Sequence, residues 1–365
     1  MTRTRVAAWM MASISTTCAG KEPVARPGPV ASSAQVAEAT PDASPADADE
    51  SHPADASHPA DAREGGPADA KESPPRPPAG PPSFAAPHGR TARPEDGAWS
   101  PLARRDGSAL LYQATVHPSP VKGHVEVTLV AIDLQGVAVH LVAGTREPMS
   151  NTVPPSARPG VVPAADHAAL LAVANGGWKT EHGRFGMRIG ADRFQAPREG
   201  ACAIGLGSTG GLMIAPWAEM APREAELVAW RQTPACLVHR GALHPALERE
   251  TLSRNWGAAE KGEVEIRRSA LGLDATGRFA LFGLGERTSA KAIADGMLAA
   301  GATSAAELDI NWSFTRFVLF GRPTPDAPLT IVRSLVPKTE PSPRSYLERP
   351  SERDFFYFTS KSPTP

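Results

Sequence analysis

Cysteine is almost absent from this chain of 365 residues: the three are Cys18, Cys202 and Cys236. None stands in a CxxC motif, and no Cys/His group has metal-ligand spacing, which argues against a structural zinc site. Apart from a short stretch near the start, no apolar run approaches bilayer-spanning length. Neither charge sign forms a long run in the later part of the chain. With 38 Lys+Arg against 39 Asp+Glu the net charge is -1, which argues against a nucleic-acid partner or a polybasic membrane surface. HExxH and GxSxG are missing, so a zincin and an α/β-hydrolase lack support. Aromatics are missing locally. Between Ala19 and Ala98 the only one is Phe84, while 16 of the chain's 38 prolines fall there. Such a segment buries too little apolar surface to offset its ordering entropy.

That stretch also repeats itself. Ser51-His52-Pro53-Ala54-Asp55-Ala56 recurs at 57–62, and Pro67-Ala68-Asp69-Ala70 echoes it. It reads as a solvated, extended linker over 21–98, with His52 and His58 solvated rather than metal-bound. Before it, residues 1–20 resemble an export signal. Arg3 and Arg5 give a positive start and Val6 to Ile14 a short, mostly apolar stretch. Cys18 follows. A lipid anchor on Cys18 is one reading, and ordinary cleavage near Ala19 is the other. Either places the protein in the cell envelope or outside the cell. In an oxidising compartment Cys202 and Cys236 can pair, or remain two free thiols.

What remains, 99–365, suits one globular domain. Ser108 to His117, the alternating run from Val125 to Ile132, and Val137 to Val142 read as an antiparallel meander. Ala168 to Ala174 reads as a buried strand. Phe185 to Ile189, Leu212 to Ala215, Thr315 to Phe320 and Leu329 to Val332 are further strand candidates. Val264 to Leu273 and Arg278 to Phe282 form a hairpin across 274–277. Thr288 to Ala300 is the clearest helix, capped by Thr288 and stopped by Gly301. Glu224 to Gln232 is ambiguous between helix and strand. Phe355 to Phe358 packs back on the core. Strands outnumber helices without βαβ alternation, so the fold class is α+β, with mixed or antiparallel sheets and a few flanking helices. Gly205-Leu206-Gly207-Ser208-Thr209-Gly210 spells a dinucleotide fingerprint, but Leu212-Met213-Ile214 and Pro216 follow where a helix should open. It reads as a glycine-rich turn.

Three segments carry the candidate chemistry. Asn175-Gly176-Gly177-Trp178 ends an apolar strand. Arg268-Ser269-Ala270-Leu271-Gly272 opens the hairpin. Leu308-Asp309-Ile310-Asn311-Trp312-Ser313-Phe314-Thr315 follows the helix. In order and spacing they resemble the motifs of the phosphodiester glycosidase family, Asn-Gly-Gly-Phe, Arg-Thr-Ala-Ile-Gly and Leu-Asp-Gly-Gly-Gly-Ser-Ser-Thr. The resemblance covers roughly Ser108 to Phe320. The chain departs where three glycines are replaced by Ile310, Asn311 and Trp312, as in a divergent branch.

The resemblance implies hydrolysis of a sugar C1–O bond to a phosphodiester, with a carbohydrate phosphodiester as substrate. No cofactor and no metal ligand set is assigned, and metal dependence stays open: Asp309, Glu181 and Asn311 are oxygen donors without EF-hand-like spacing. It implies Asp309 as nucleophile or base, and Arg268 as the phosphate ligand. Their competing roles are an Asx-turn for Asp309 and a structural ion pair for Arg268. Glu181 or His182 is a candidate second acid/base group. Asn175, Gly176, Gly177, Trp178, Lys179, Asn311, Ser313 and Thr315 are candidates for contacting substrate. Trp178 and Trp312 stack on a sugar ring or pack in the core. The alternative function is a non-catalytic envelope glycan-binding or surface-interaction protein.

Overall fold

A computed structural model describes residues 80–249, 254–324, 326–336 and 341–361. The signal and the repeat segment, residues 1–79, lie outside the described residues. The strands are β1 (Ser100–Arg105), β2 (Ser108–Val116), β3 (Val127–Asp133), β4 (Val137–Val142), β5 (Leu170–Asn175) and β6 (Met187–Ile189). Next come β7 (Asp192–Gln195), β8 (Cys202–Gly207), β9 (Leu212–Pro216), β10 (Leu227–Thr233), β11 (Val238–His239) and β12 (Ala242–Leu243). The last six are β13 (Ile266–Asp274), β14 (Phe279–Thr288), β15 (Ala302–Glu307), β16 (Phe317–Gly321), β17 (Thr330–Ser334) and β18 (Phe355–Ser360). Among the described residues the α-helices are α1 (Trp217–Met220) and α2 (Ala290–Ala299).

These strands form three sheets: β1-β2-β3-β14-β13-β15-β11-β12, β7-β6-β10-β8-β9, and β17-β16-β5-β18-β4. Each neighbouring pair among them is antiparallel. The fold is α+β with few helices and antiparallel sheets. One core cluster joins all three sheets, with Ile132, Phe282, Cys202, Ile204, Phe317 and Phe358 among its members. A second sits under α2 on the other face of the large sheet.

Three local outcomes differ from expectation. First, β4 leaves the meander and pairs with β18 instead of β3. The strand Phe355 to Ser360 is apolar on both faces and becomes interior to its sheet, between β4 and β5. Burying both of its faces takes partners on both edges. Second, Thr288 ends β14, and Ser289 caps α2 by accepting a hydrogen bond from the Ala292 amide at 3.1 Å. Third, the described segment before Trp99 is mostly exposed over residues 80–98 but makes specific contacts with the domain. Phe84 meets the Trp99 ring, and Asp96 bonds His117 at 2.7 Å. The ordered domain therefore begins within the stretch assigned to the linker.

The ambiguous segment is both things in turn, a 3₁₀ turn over Ala221–Glu226 and then β10. The glycine-rich sequence at 205–210 is the end of β8 and its turn into β9, as expected. Cys202 and Cys236 form a disulfide.

Candidate active site

Asn175 is the node where the three segments meet. It ends β5, and its side chain is buried. Its amide nitrogen donates to Ser269 Oγ at 3.0 Å and to the Gly176 carbonyl at 3.1 Å. Its Oδ1 accepts from the Arg316 amide at 3.0 Å and from Ser269 Oγ at 3.2 Å. Ser269 also reaches the Asp309 carbonyl at 3.0 Å, and Thr315 Oγ1 reaches it at 3.2 Å. An amide is suited to this because it donates and accepts at one position. Asn175, Ser269 and Thr315 thus hold Asp309 in place by its backbone.

Arg268 lies elsewhere. Successive strand side chains point to opposite faces, so Ser269 faces the node and Arg268 faces away. Arg268 is fully buried and pairs with Glu307 at 2.6 Å. Its remaining donors reach the carbonyls of Thr288 (2.9 Å), Gly257 (2.9 Å), Val264 (2.8 Å) and Trp256. All five N–H groups are used, so none is left for a phosphate. The expectation of Arg268 as phosphate ligand gives way to the structural ion pair. Burial pushes the Glu307 carboxyl up to about 8, and Arg268 opposes the rise.

Gly176 and Gly177 serve a second buried pair. Arg231 and Asp354 meet at 2.9 Å, both fully buried. A Cβ on Gly176 would stand 2.2 Å from Asp354 Oδ2, and one on Gly177 would stand 2.7 Å from the Arg231 guanidinium carbon. Only glycine admits the pair at that distance. The Gly177 amide also donates to Asp354 Oδ2 at 2.9 Å.

Asp309 follows β15 and is 4% exposed. Its Oδ1 accepts from the Ile310 amide at 3.0 Å, and its Oδ2 meets Arg353 Nη2 at 2.6 Å. Burial pushes its carboxyl up to about 7, while Arg353 pulls it down and Asp354 adds to the rise. Asp309 lines a cavity of about 240 Å³ with Asn175, Gly176 and Phe314, together with Arg316, Arg349 and Arg353. Two other acids line it, but Asp354 is matched by Arg231 and Glu352 by Arg146 at 3.3 Å. With Asp309 matched by Arg353, Arg316 and Arg349 leave an excess of positive charge. Such a cavity favours an anionic guest.

The remaining candidates separate. Trp178 is core: its indole N–H reaches the Leu308 carbonyl at 2.9 Å, and its ring packs with Phe185 and Ile310. Ile310 fills the same cluster, which explains an apolar residue after Asp309. Asn311 adopts φ 93° and builds a local turn by accepting from the Ser313 amide at 3.1 Å. Trp312 is 53% exposed and covers the Arg267 guanidinium at 4.5 Å. Glu181 and His182 lie on a one-turn 3₁₀ helix outside the cavity lining, with Glu181 near Lys179 at 3.4 Å. Lys179 stands 5.9 Å from the centroid of the Phe314 ring and lies outside the cavity lining. Ser313 is exposed and lies outside the lining.

Arg353, Arg316 and Arg349 escaped the sequence reading. The available signal was Glu352-Arg353-Asp354, a charged triplet directly before an aromatic strand. It mirrors Asn175 directly after an apolar one.

No protein-family model matches the chain, and no curated protein matches it. Among solved structures it is similar to the auto-inhibited catalytic domain of zebrafish N-acetylglucosamine-1-phosphodiester alpha-N-acetylglucosaminidase. The identity is 15%, over 73% of this chain and 88% of that one, with a TM-score of 0.43. It is also similar to a hypothetical protein from Synechocystis at 12% identity, over 74% of this chain and 65% of that one, with a TM-score of 0.43. Likeness at this level leaves the functional argument to the site itself. Among the described residues no helix is long and apolar enough to cross a membrane, and no group of three His, Cys, Asp or Glu is placed to hold a metal ion.

Proposed function

We propose that the chain is an exported hydrolase that cleaves the C1–O bond of a sugar-1-phosphodiester. The observation that carries this reading is Asp309, a buried carboxyl held near neutrality in a cavity with an excess of arginine. A carboxyl titrating near the working pH suits proton transfer. The phosphodiester sits against Arg316 and Arg349, and C1 of the sugar faces Asp309. Ionised Asp309 takes a proton from water as the water oxygen bonds to C1. The C1–O bond breaks, its electron pair leaves with the phosphate, and the proton returns to that oxygen. The products are the free sugar and a phosphate monoester. The leaving group is already a stabilised anion, so a strong acid is not required behind it.

Export is supported by the signal-like first 20 residues and by the disulfide, which persists in oxidising compartments. The test is release of reducing sugar from sugar-1-phosphodiesters by the full chain, with and without chelator. Asp309→Ala should lower the rate by at least about a hundredfold. Absence of release from any diester, with the protein folded, would favour the glycan-binding alternative.

A further inference from the structure

Two fully buried arginines, Arg268 and Arg231, have every donor engaged, and Arg353 does not. Arg268 uses every N–H it has. So does Arg231, which donates to Asp354, to the Trp178 carbonyl (2.6 Å), and to the carbonyls of Phe185 (3.0 Å) and Gln232 (2.9 Å). The Arg353 side chain is 7% exposed, yet only its Nη2 is engaged, by Asp309 and by the Gly177 carbonyl at 3.2 Å. Its Nε and Nη1 are buried and have no hydrogen-bond partner among the described residues. Unmet buried donors on a charged group are costly. A saturated arginine is a structural part, whereas an unsaturated one beside a cavity is poised for something else.

The surroundings say what. Arg353 lines the cavity with Arg316 and Arg349, which favour an anion. Phe314 lies face-on to the Arg353 guanidinium at 4.5 Å and covers it. An anion in the cavity therefore reaches the unused donors only when the guanidinium shifts from under Phe314. That shift takes Nη2 away from Asp309. We propose that Arg353 is an anion-operated latch on Asp309: a phosphate group entering the cavity draws the guanidinium off the carboxylate and frees it to act on C1. This inference rests on the phosphodiester reading of the cavity, and it makes Arg353 a positioning residue whose movement ties phosphate arrival to Asp309 release.

The experiment is calorimetric titration of the full chain with inorganic phosphate, alongside thermal melting to establish folding. Arg353→Gln should weaken phosphate binding by about tenfold or more. Arg353→Lys, which keeps the charge and loses the fork, should fall between it and the wild type. Asp309→Asn unlatches Arg353 in advance and should tighten phosphate binding several-fold. The same change on top of Arg353→Gln should tighten it clearly less. If Arg353→Gln does not fold, the Arg353→Lys arm decides. Phosphate affinity within about twofold of wild type in a folded Arg353 variant would overturn the latch. So would an equal gain from Asp309→Asn in both backgrounds, or no phosphate binding by the wild type. The two proposals fail separately. Coupled phosphate binding without sugar release removes the hydrolase and keeps the latch, and sugar release with indifferent Arg353 variants does the reverse.

Discussion

Asp309 and Arg268 show how the same residue types take different work from burial and partners. Asp309 has a folded-state pKa of about 7 against an ordinary 3.8. Between those values the unfolded chain has lost its proton while the folded one keeps it. The stabilising contribution is therefore complete below about pH 4 and lost as pH rises through about 7. Asp309→Asn cannot titrate. The stability of wild type minus that of Asp309→Asn should fall between about pH 4 and pH 7 and be flat outside that window. Chemical denaturation across pH measures it; most of the Glu307 contribution is common to both proteins, with a remainder from its coupling to Asp309. In the pH–rate profile the ionised form is the active one, so kcat/KM should rise through about pH 7 and level off. Arg268 makes the opposite prediction. Removing it opens a cavity and leaves the Glu307 carboxyl and four backbone carbonyls without their donor, so Arg268→Ala should cost about 3–5 kcal/mol of stability. Arg268→Met with Glu307→Leu should recover much of that loss, an outcome that a substrate-binding arginine would not give.

At the scale of elements, the strands were legible because their apolar residues ran continuously or alternated. β2, β3, β5, β13 and β14 fall close to where those patterns place them. Pairing was less legible. Nothing in Val137 to Val142 says that its partner is Phe355 to Ser360, more than 200 residues on, because register and partner choice are settled by tertiary burial. The same limit hid Arg353. Its role exists only because β18 inserts beside β5, bringing the start of one strand to the end of the other. Asn175 and Asp309 could be singled out because both follow apolar strands in polar turns. Gly176 and Gly177 could be singled out too, though for the wrong partner: they make room for the Arg231–Asp354 pair, which is itself buried and cannot retreat. Gly177→Ala should thus cost about 1–3 kcal/mol in denaturant unfolding. Ser289→Ala should cost about 1 kcal/mol by removing the α2 cap. A Ser289→Ala protein as stable as wild type would show the cap to be idle.

Across the whole molecule, the disulfide binds the sheet that Asn175 does not belong to. Cys202 opens β8, opposite Thr233 of β10, and Cys236 lies just past the end of β10. The cross-link closes a separation of 34 residues. Closing such a loop restricts the unfolded chain and stabilises the fold by about 3–4 kcal/mol in the chain-entropy account. That sheet supplies Arg231, whose pairing with Asp354 fixes the residue next to Arg353. The disulfide is thus linked to the cavity through β10 and the Arg231–Asp354 pair. Reduction should lower the melting temperature markedly, and Cys202→Ser with Cys236→Ser should reproduce the effect without reductant. Because Cys202 and Cys236 sit in the shared core rather than in the cavity, kcat/KM of the folded, reduced protein should stay within about threefold of the oxidised value well below the transition. A much larger loss of activity at temperatures where the reduced protein is still folded would mean that β10 moves when untethered, carrying Arg231 and the Asp354–Arg353 segment with it.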